Sequence, residues 1–233
     1  MNSAFDGQFD ESRPLTRDFA SREVVADYDR THRRFRDIDG ENEAILAWMN
    51  LQPDQVLLDM ACGTGALARR ASLQCRQVVA VDLSGAMLDY AQWRAQEEGR
   101  CNIRFCRGGF LTYIHEDPLV DALNTSMALH HLPDFWKQRA LNRLVAMLRP
   151  GGRFCLQDVV FPAVDAETAI RAWIRRVEER AGTEVADSLR SHVKREYSTY
   201  TWIMEGLLVR AGLAIERIDW VDELIPRYLC VKG

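Results

Sequence analysis

Apolar and polar positions change period repeatedly along the chain, and each change marks the edge of an element. Val56-Leu57-Leu58 is an unbroken apolar run closed by Asp59, the pattern of a strand buried on both faces of a parallel sheet. Val78-Val79-Ala80-Val81 repeats it and closes on Asp82, while Leu67, Ala68 and Ala71 lie between the two runs at helical spacing. Followed onward, the pattern predicts strands over 56–60, 78–82, 103–107, 121–127 and 153–160, with helices over about 65–73, 85–98 and 134–148. Strands alternating with helices in this way build a parallel, doubly wound α/β sheet with helices on both faces.

The flanks follow the same logic. Residues 24–35 and 43–49 read as helices, the second with Ile45, Leu46 and Met49 inward. Ile170, Trp173, Ile174 and Val177 share one face of a helix over 167–180, which leaves Arg171, Arg175 and Glu179 in solvent. The segment from Tyr197 begins with hydroxyl-bearing residues and becomes a helix ending near Gly212, with Trp202 and Met204 expected in the core. Ser84 and Asp134 are expected helix caps, and Arg149-Pro150-Gly151-Gly152 a helix stop. Residues 214–220 and 226–232 read as strands separated only by Val221 to Ile225. A parallel crossover needs a dozen or more residues, so these two strands must be antiparallel.

Composition narrows the class. With 233 residues, 47% of them hydrophobic, the chain can bury a sizeable core as one domain. A formal net charge of −4 gives no electrostatic attraction to nucleic acid or to an anionic membrane. Residues 1–17 hold no apolar stretch of signal-peptide length, and nothing approaches a membrane span, so a cytoplasmic protein is expected. The six cysteines form no C-x-x-C pair, which argues for buried thiols in a reducing compartment and against a metal site.

The candidate chemistry sits after the first strand, where Gly63 and Gly65 allow a tight turn and close approach of a ligand. Gly63-Thr64-Gly65-Ala66-Leu67-Ala68 fits the dinucleotide fingerprint, and Asp82 stands near the spacing of a ribose-binding acid. Asp59 separates two ligand classes. A carboxylate at that strand end repels a pyrophosphate and attracts an ammonium group.

Asp59-Met60-Ala61-Cys62-Gly63-Thr64-Gly65 followed by Val78–Ser84 with Met87 and Leu88 resembles the first two motifs of class I S-adenosylmethionine-dependent methyltransferases. The resemblance continues through Ala128-Leu129-His130-His131-Leu132-Pro133-Asp134 and Leu148–Gly152, and covers roughly residues 20–233. It implies a Rossmann-like seven-stranded sheet, mostly parallel with one antiparallel C-terminal strand. It further implies S-adenosylmethionine as cofactor, held by Asp59, Ala61, Cys62, Gly63, Gly65, Asp82, Leu83, Met87, Gly109, Phe110 and Ala128. Asp59 would face the methionine amino group, Asp82 the ribose hydroxyls, and Leu83 and Met87 the adenine. Many relatives carry an acid for the adenine amino group after the third strand; here the residues are Arg107-Gly108-Gly109-Phe110, and Gly109 has no side chain for it.

By the same resemblance, residues 1–40 form an N-terminal arm and lid helix, and residues 41–233 the catalytic domain. The candidate catalytic residues are His130, His131 and Tyr28. Tyr197–Leu208, together with Phe110, Leu111, Tyr113 and His115, is similar to uncharacterised bacterial small-molecule methyltransferases. A small-molecule acceptor is therefore expected, with no nucleic-acid or membrane partner. Two other uses of such a fold stay open at this point: cyclisation of the cofactor's own arm with release of methylthioadenosine, and binding without turnover.

Overall fold

The computed structural model describes residues 7–13, 15–16 and 22–233. Of the arm and lid helix expected over residues 1–40, residues 1–6, 14 and 17–21 lie outside the described residues. Two helices, α1 (Arg22–His32) and α2 (Ile38–Met49), precede the first strand, β1 (Val56–Met60). The alternation then runs α3 (Ala66–Ala71), β2 (Gln77–Asp82), α4 (Gly85–Glu97), β3 (Ile103–Arg107) and β4 (Val120–Ser126). A short turn of 3-10 helix at Leu129–His131 leads into α5 (Asp134–Met147) and β5 (Leu148–Gln157). An insertion follows: β6 (Val160–Phe161), α6 (Ala166–Ala181), α7 (Thr183–Arg195), β7 (Thr199–Tyr200) and α8 (Thr201–Arg210). The chain closes with β8 (Leu213–Asp222) and β9 (Ile225–Lys232).

Seven strands form one sheet in the order β3-β2-β1-β4-β5-β9-β8. The pairs among β1 to β5 are parallel, and β9 runs antiparallel to both of its neighbours, β5 and β8. The expected fold class is the observed one. Strand order reverses between β1 and β4, so the carboxyl ends of these strands flank the crevice where open α/β sheets bind ligands.

Both faces of the sheet are covered. On one, Leu57, Val78 and Ala80 pack with Ile45, Leu46 and Met49 of α2 and Leu67 and Ala68 of α3. On the other, Leu58, Leu123 and Phe154 pack with Leu141 and Leu144 of α5 and Met204 and Leu208 of α8. A third apolar cluster unites Trp173, Val177, Val185 and Leu224, with Phe35 and Met127 against it. It seats α6 and α7 over the rim of the sheet. Among the described residues no helix is long and apolar enough to cross a membrane.

Three expectations are corrected. Trp202 is 63% exposed and stacks on Tyr200, while Met204 and Leu208 are buried. Two residues along a helix are a rotation of about 200°, so Trp202 and Met204 point to opposite sides. Asp134 is not the cap of α5, since Pro133 takes that position; its carboxylate accepts from Lys137 Nζ (2.7 Å) and Thr199 Oγ1 (3.1 Å). The strand after α5 starts at Leu148 rather than 153, and its pairing with β4 is irregular between Val120 and Ala122, which absorbs the Pro-Gly-Gly stretch. Helix α7 is an addition to the predicted elements, although Val185, Ala186, Leu189 and Val193 fall at helical spacing. As expected, Ser84 caps α4 by accepting from Met87 N–H (3.2 Å).

Candidate functional site

The turn after β1 is locked from two sides. Cys62 N–H donates to Val81 O, and Gly63 N–H donates to Asp82 Oδ2 (2.8 Å). The other carboxylate oxygen of Asp82 accepts from Ser84 N–H (2.8 Å), so one side chain joins the glycine loop to the start of α4. Burial raises the Asp82 pKa, against the pull of those backbone donors. A carboxylate offers about four lone-pair directions, so two remain for a ligand. Gly65 has φ +72°, and a Cβ there would lie 2.9 Å from Ala91 Cβ, so glycine is required for conformation and for the approach of α4.

Asp59 is 2% exposed. Its Oδ1 accepts from Asn124 Nδ2 (2.8 Å), while Oδ2 has no hydrogen-bond partner among the described residues. Burial, opposed by the Asn124 bond and assisted by the Asp82 charge, lifts its pKa to about 7. An acid poised in this way gains most from a cation brought near the loop.

A cavity of about 330 Å³ opens at the carboxyl ends of β1, β2 and β4, within the ~300–1,000 Å³ range of ligand sites. Eight of the residues expected at the cofactor line it: Ala61, Gly63, Asp82, Leu83, Met87, Gly109, Phe110 and Ala128. Asp59, Cys62 and Gly65 are not on its wall. Burial pushes the Cys62 thiol well up, so it stays protonated.

The N-terminal segment contributes a wall that sequence reasoning missed. Glu11 lies over the backbone of Gly109, where a Cβ would sit 2.4 Å from its carboxyl carbon. Its carboxylate accepts from Leu111 N–H (3.0 Å) and Thr112 Oγ1 (2.8 Å). An acid thus occupies the place beside Gly109 whose side chain the local sequence lacks. No sequence signal marks Glu11, because it arrives from about a hundred residues away.

Behind this cavity is a second, of about 100 Å³, with Phe35, Trp173, His130, His192 and Glu196 on its wall. Thr16, Tyr28, Met127 and His131 line both cavities. His130 is buried, with Nδ1 bonded to Asp158 Oδ1 and Nε2 lying 3.2 Å from Glu196 Oε2. Burial opposes its charge, but Asp158 and Glu196 outweigh burial and raise its pKa to about 9. His131 goes the other way: burial and the neighbouring His130 charge lower it to about 4, leaving a neutral ring. Burial would raise Glu196, yet its bonds to His130 and His192 hold it well below the usual carboxylate range. The two histidines that look equivalent in sequence therefore differ in charge and in the space they face.

Residues 57–152 match the family described as a methyltransferase domain. An uncharacterised methyltransferase of Geobacillus kaustophilus (strain HTA426) is 29% identical over 199 residues, spanning 83% of this chain and 87% of that one. A ubiquinone/menaquinone biosynthesis C-methyltransferase of Brucella suis is 32% identical over 132 residues, 53% of this chain and 48% of the relative. The crystal structure of a SAM-dependent methyltransferase from Aquifex aeolicus shares the fold with a TM-score of 0.65 at 16% identity, covering 91% of this chain and 99% of that one. Motifs, strand order and relatives agree: residues 57–152 carry a methyltransferase domain, and the likeness of the rest of the chain to methyltransferases supports an S-adenosylmethionine-dependent methyltransferase with the class I fold.

Proposed function

We propose that this enzyme transfers a methyl group from S-adenosylmethionine, held in the larger cavity, to a small molecule held in the second. The observation that carries this reading is the shared wall: Thr16, Tyr28, Met127 and His131 face both cavities, so a donor in one and an acceptor in the other meet between them. When bound, the cofactor supplies a methyl group already activated by its sulfonium, and alignment of the acceptor can account for much of the rate.

The residues divide the remaining work. Asp82 accepts from ribose hydroxyls with the lone pairs left over from Gly63 and Ser84. Leu83 and Met87 flank the base beside Phe110. Glu11 takes the base's amino group, the role that a glycine at 109 leaves vacant. Asp59 acts through the loop, its unpaired oxygen favouring a ligand ammonium. Tyr28, on the wall common to both cavities, would offer an aromatic ring to the sulfonium cation. His131, neutral and on the shared wall, accepts a hydrogen bond from the methyl acceptor, although a pKa lowered to about 4 makes it a weak base, and the ring of His130 packs against it. The N-terminal residues act as a lid on a single catalytic domain. A cytoplasmic setting fits the six free thiols, and a cavity of about 100 Å³, below the usual range of ligand sites, admits only a very small acceptor or part of one and no nucleic acid.

S-adenosylmethionine and S-adenosylhomocysteine are expected to raise the thermal midpoint, by ~2.7 kcal/mol of stabilisation at one hundred times the dissociation constant, whereas NAD and NADP are not. With isotope-labelled cofactor and fractionated metabolites, a labelled small molecule and S-adenosylhomocysteine should appear together. Release of methylthioadenosine without a labelled product would overturn methyl transfer.

A further inference from the structure

The side chains around the second cavity are arranged as a metal site. His192 and Glu196 stand four residues apart at the end of α7, which puts them on one helix face, and His130 meets them from the turn after β4. Nε2 of His130, a ring nitrogen of His192 and a carboxylate oxygen of Glu196 all lie within 4.8 Å of one another. The His130 Nε2 to Glu196 Oε2 separation is 3.2 Å, close to the roughly 3.3 Å that two ligands at zinc-like bond lengths keep in a tetrahedron. His192 Nδ1 already touches the same oxygen, and would move outward by a fraction of its ring width.

Each of the three is also held from behind. His130 Nδ1 is bonded to Asp158, His192 Nε2 lies 2.8 Å from Ser198 Oγ, and Glu196 Oε1 accepts from Thr16 Oγ1. These outer bonds leave one nitrogen of each ring and one oxygen of the carboxylate facing inward, the arrangement in which metal-binding histidines are oriented by a carboxylate or hydroxyl partner. Charge fits as well. Asp158 and Glu196 bring two carboxylates to a buried place, and Arg36, the guanidinium on the cavity wall, is ion-paired to Glu41.

We infer that His130, His192 and Glu196 bind one divalent transition-metal ion, with an open position toward the second cavity that takes an oxygen of the methyl acceptor. Two imidazoles and one carboxylate suit Zn(II), Fe(II) or Co(II) rather than Mg(II), which prefers oxygen ligands throughout. Binding displaces a proton from the inward ring nitrogen of each histidine that carries one there, so it weakens as pH falls. The acceptor class that follows is a hydroxyl or carboxylate compound; that step alone rests on the second cavity being the acceptor's.

Cobalt(II) titrated into the full chain, stripped beforehand with a chelator, is expected to bind as one equivalent with visible ligand-field absorption. His192→Ala and Glu196→Gln should abolish that saturable signal, and Asp158→Asn should weaken it ~10- to 100-fold. No saturable binding by the unaltered chain, or binding unchanged in folded variants, overturns the inference. If melting curves show the variants unfolded, X-ray absorption at the cobalt edge of the unaltered chain decides: two imidazoles with oxygen ligands support the site, and thiolate sulfur or no imidazole overturns it. Calorimetry with S-adenosylmethionine on the same stripped sample separates the two readings, because absent cofactor binding would sink the proposed methyl transfer and leave the metal site standing.

Discussion

Asp59 carries the sharpest residue-level prediction. Its pKa rises from 3.8 to about 7 on folding, so between those values the native state binds a proton that the unfolded chain has released. Stability from this group is therefore highest in acid and is lost as pH rises through about 7. Asp59→Asn keeps the bond from Asn124 and removes the penalty. Urea unfolding of the cofactor-free protein should show the variant more stable at pH 8, by on the order of 3 kcal/mol, with the gap closing as pH falls toward 4. Cofactor affinity should drop in the same variant, because the ammonium loses its field. Asp82→Ala is expected to cost ~10- to 100-fold in cofactor affinity by calorimetry, together with ~1–3 kcal/mol of stability from the freed Gly63 and Ser84 donors. An unchanged affinity in a folded Asp82 variant would remove it from the ribose site. Asp59 and Asp82 were legible in the sequence, because strand-end acids beside a glycine turn are local patterns. Glu11 was not, since its partners at 109–112 come to it only through the fold.

At the scale of elements, the α3–α4 contact and α8 give contrasting expectations. Gly65→Ala meets a left-handed backbone and the Ala91 methyl together, and should destabilise by ~1–3 kcal/mol in denaturant melts. Trp202→Ala should change stability by no more than ~0.5 kcal/mol, since its ring is mostly in solvent. A loss of several kcal/mol would mean that the Tyr200–Trp202 stack holds the segment in place. Strands and long helices were readable because their apolar periods are set by burial on the sheet. In α7 Val185, Ala186, Leu189 and Val193 keep helical spacing too, but that this face covers α6 and the rim of the sheet is decided only by the packing.

Across the whole molecule, the N-terminal segment closes both cavities through Phe9, Glu11, Thr16 and Tyr28. Deleting residues 1–36 should abolish methyl transfer and weaken cofactor binding while circular dichroism retains the α/β signal. It should also lower the melting temperature, since Val25 is 2% exposed and the buried Arg36–Glu41 pair would be cut. Tyr28→Ala isolates the shared wall from that loss, with turnover expected to fall at least ~10-fold as donor and acceptor lose their alignment. Full activity in this variant would make Tyr28 a packing residue.

The sequence by itself determined the sheet, its one reversed strand, the glycine turn and the two acids, because each depends on a period or a spacing within a few tens of residues. Tertiary structure alone decided that His130 and His131 differ, that Glu11 stands in beside Gly109, and that His192 and Glu196 meet His130. Those facts depend on burial and on charges brought together across the chain, and neither quantity exists until the insertion and the N-terminal segment pack over the carboxyl ends of the strands.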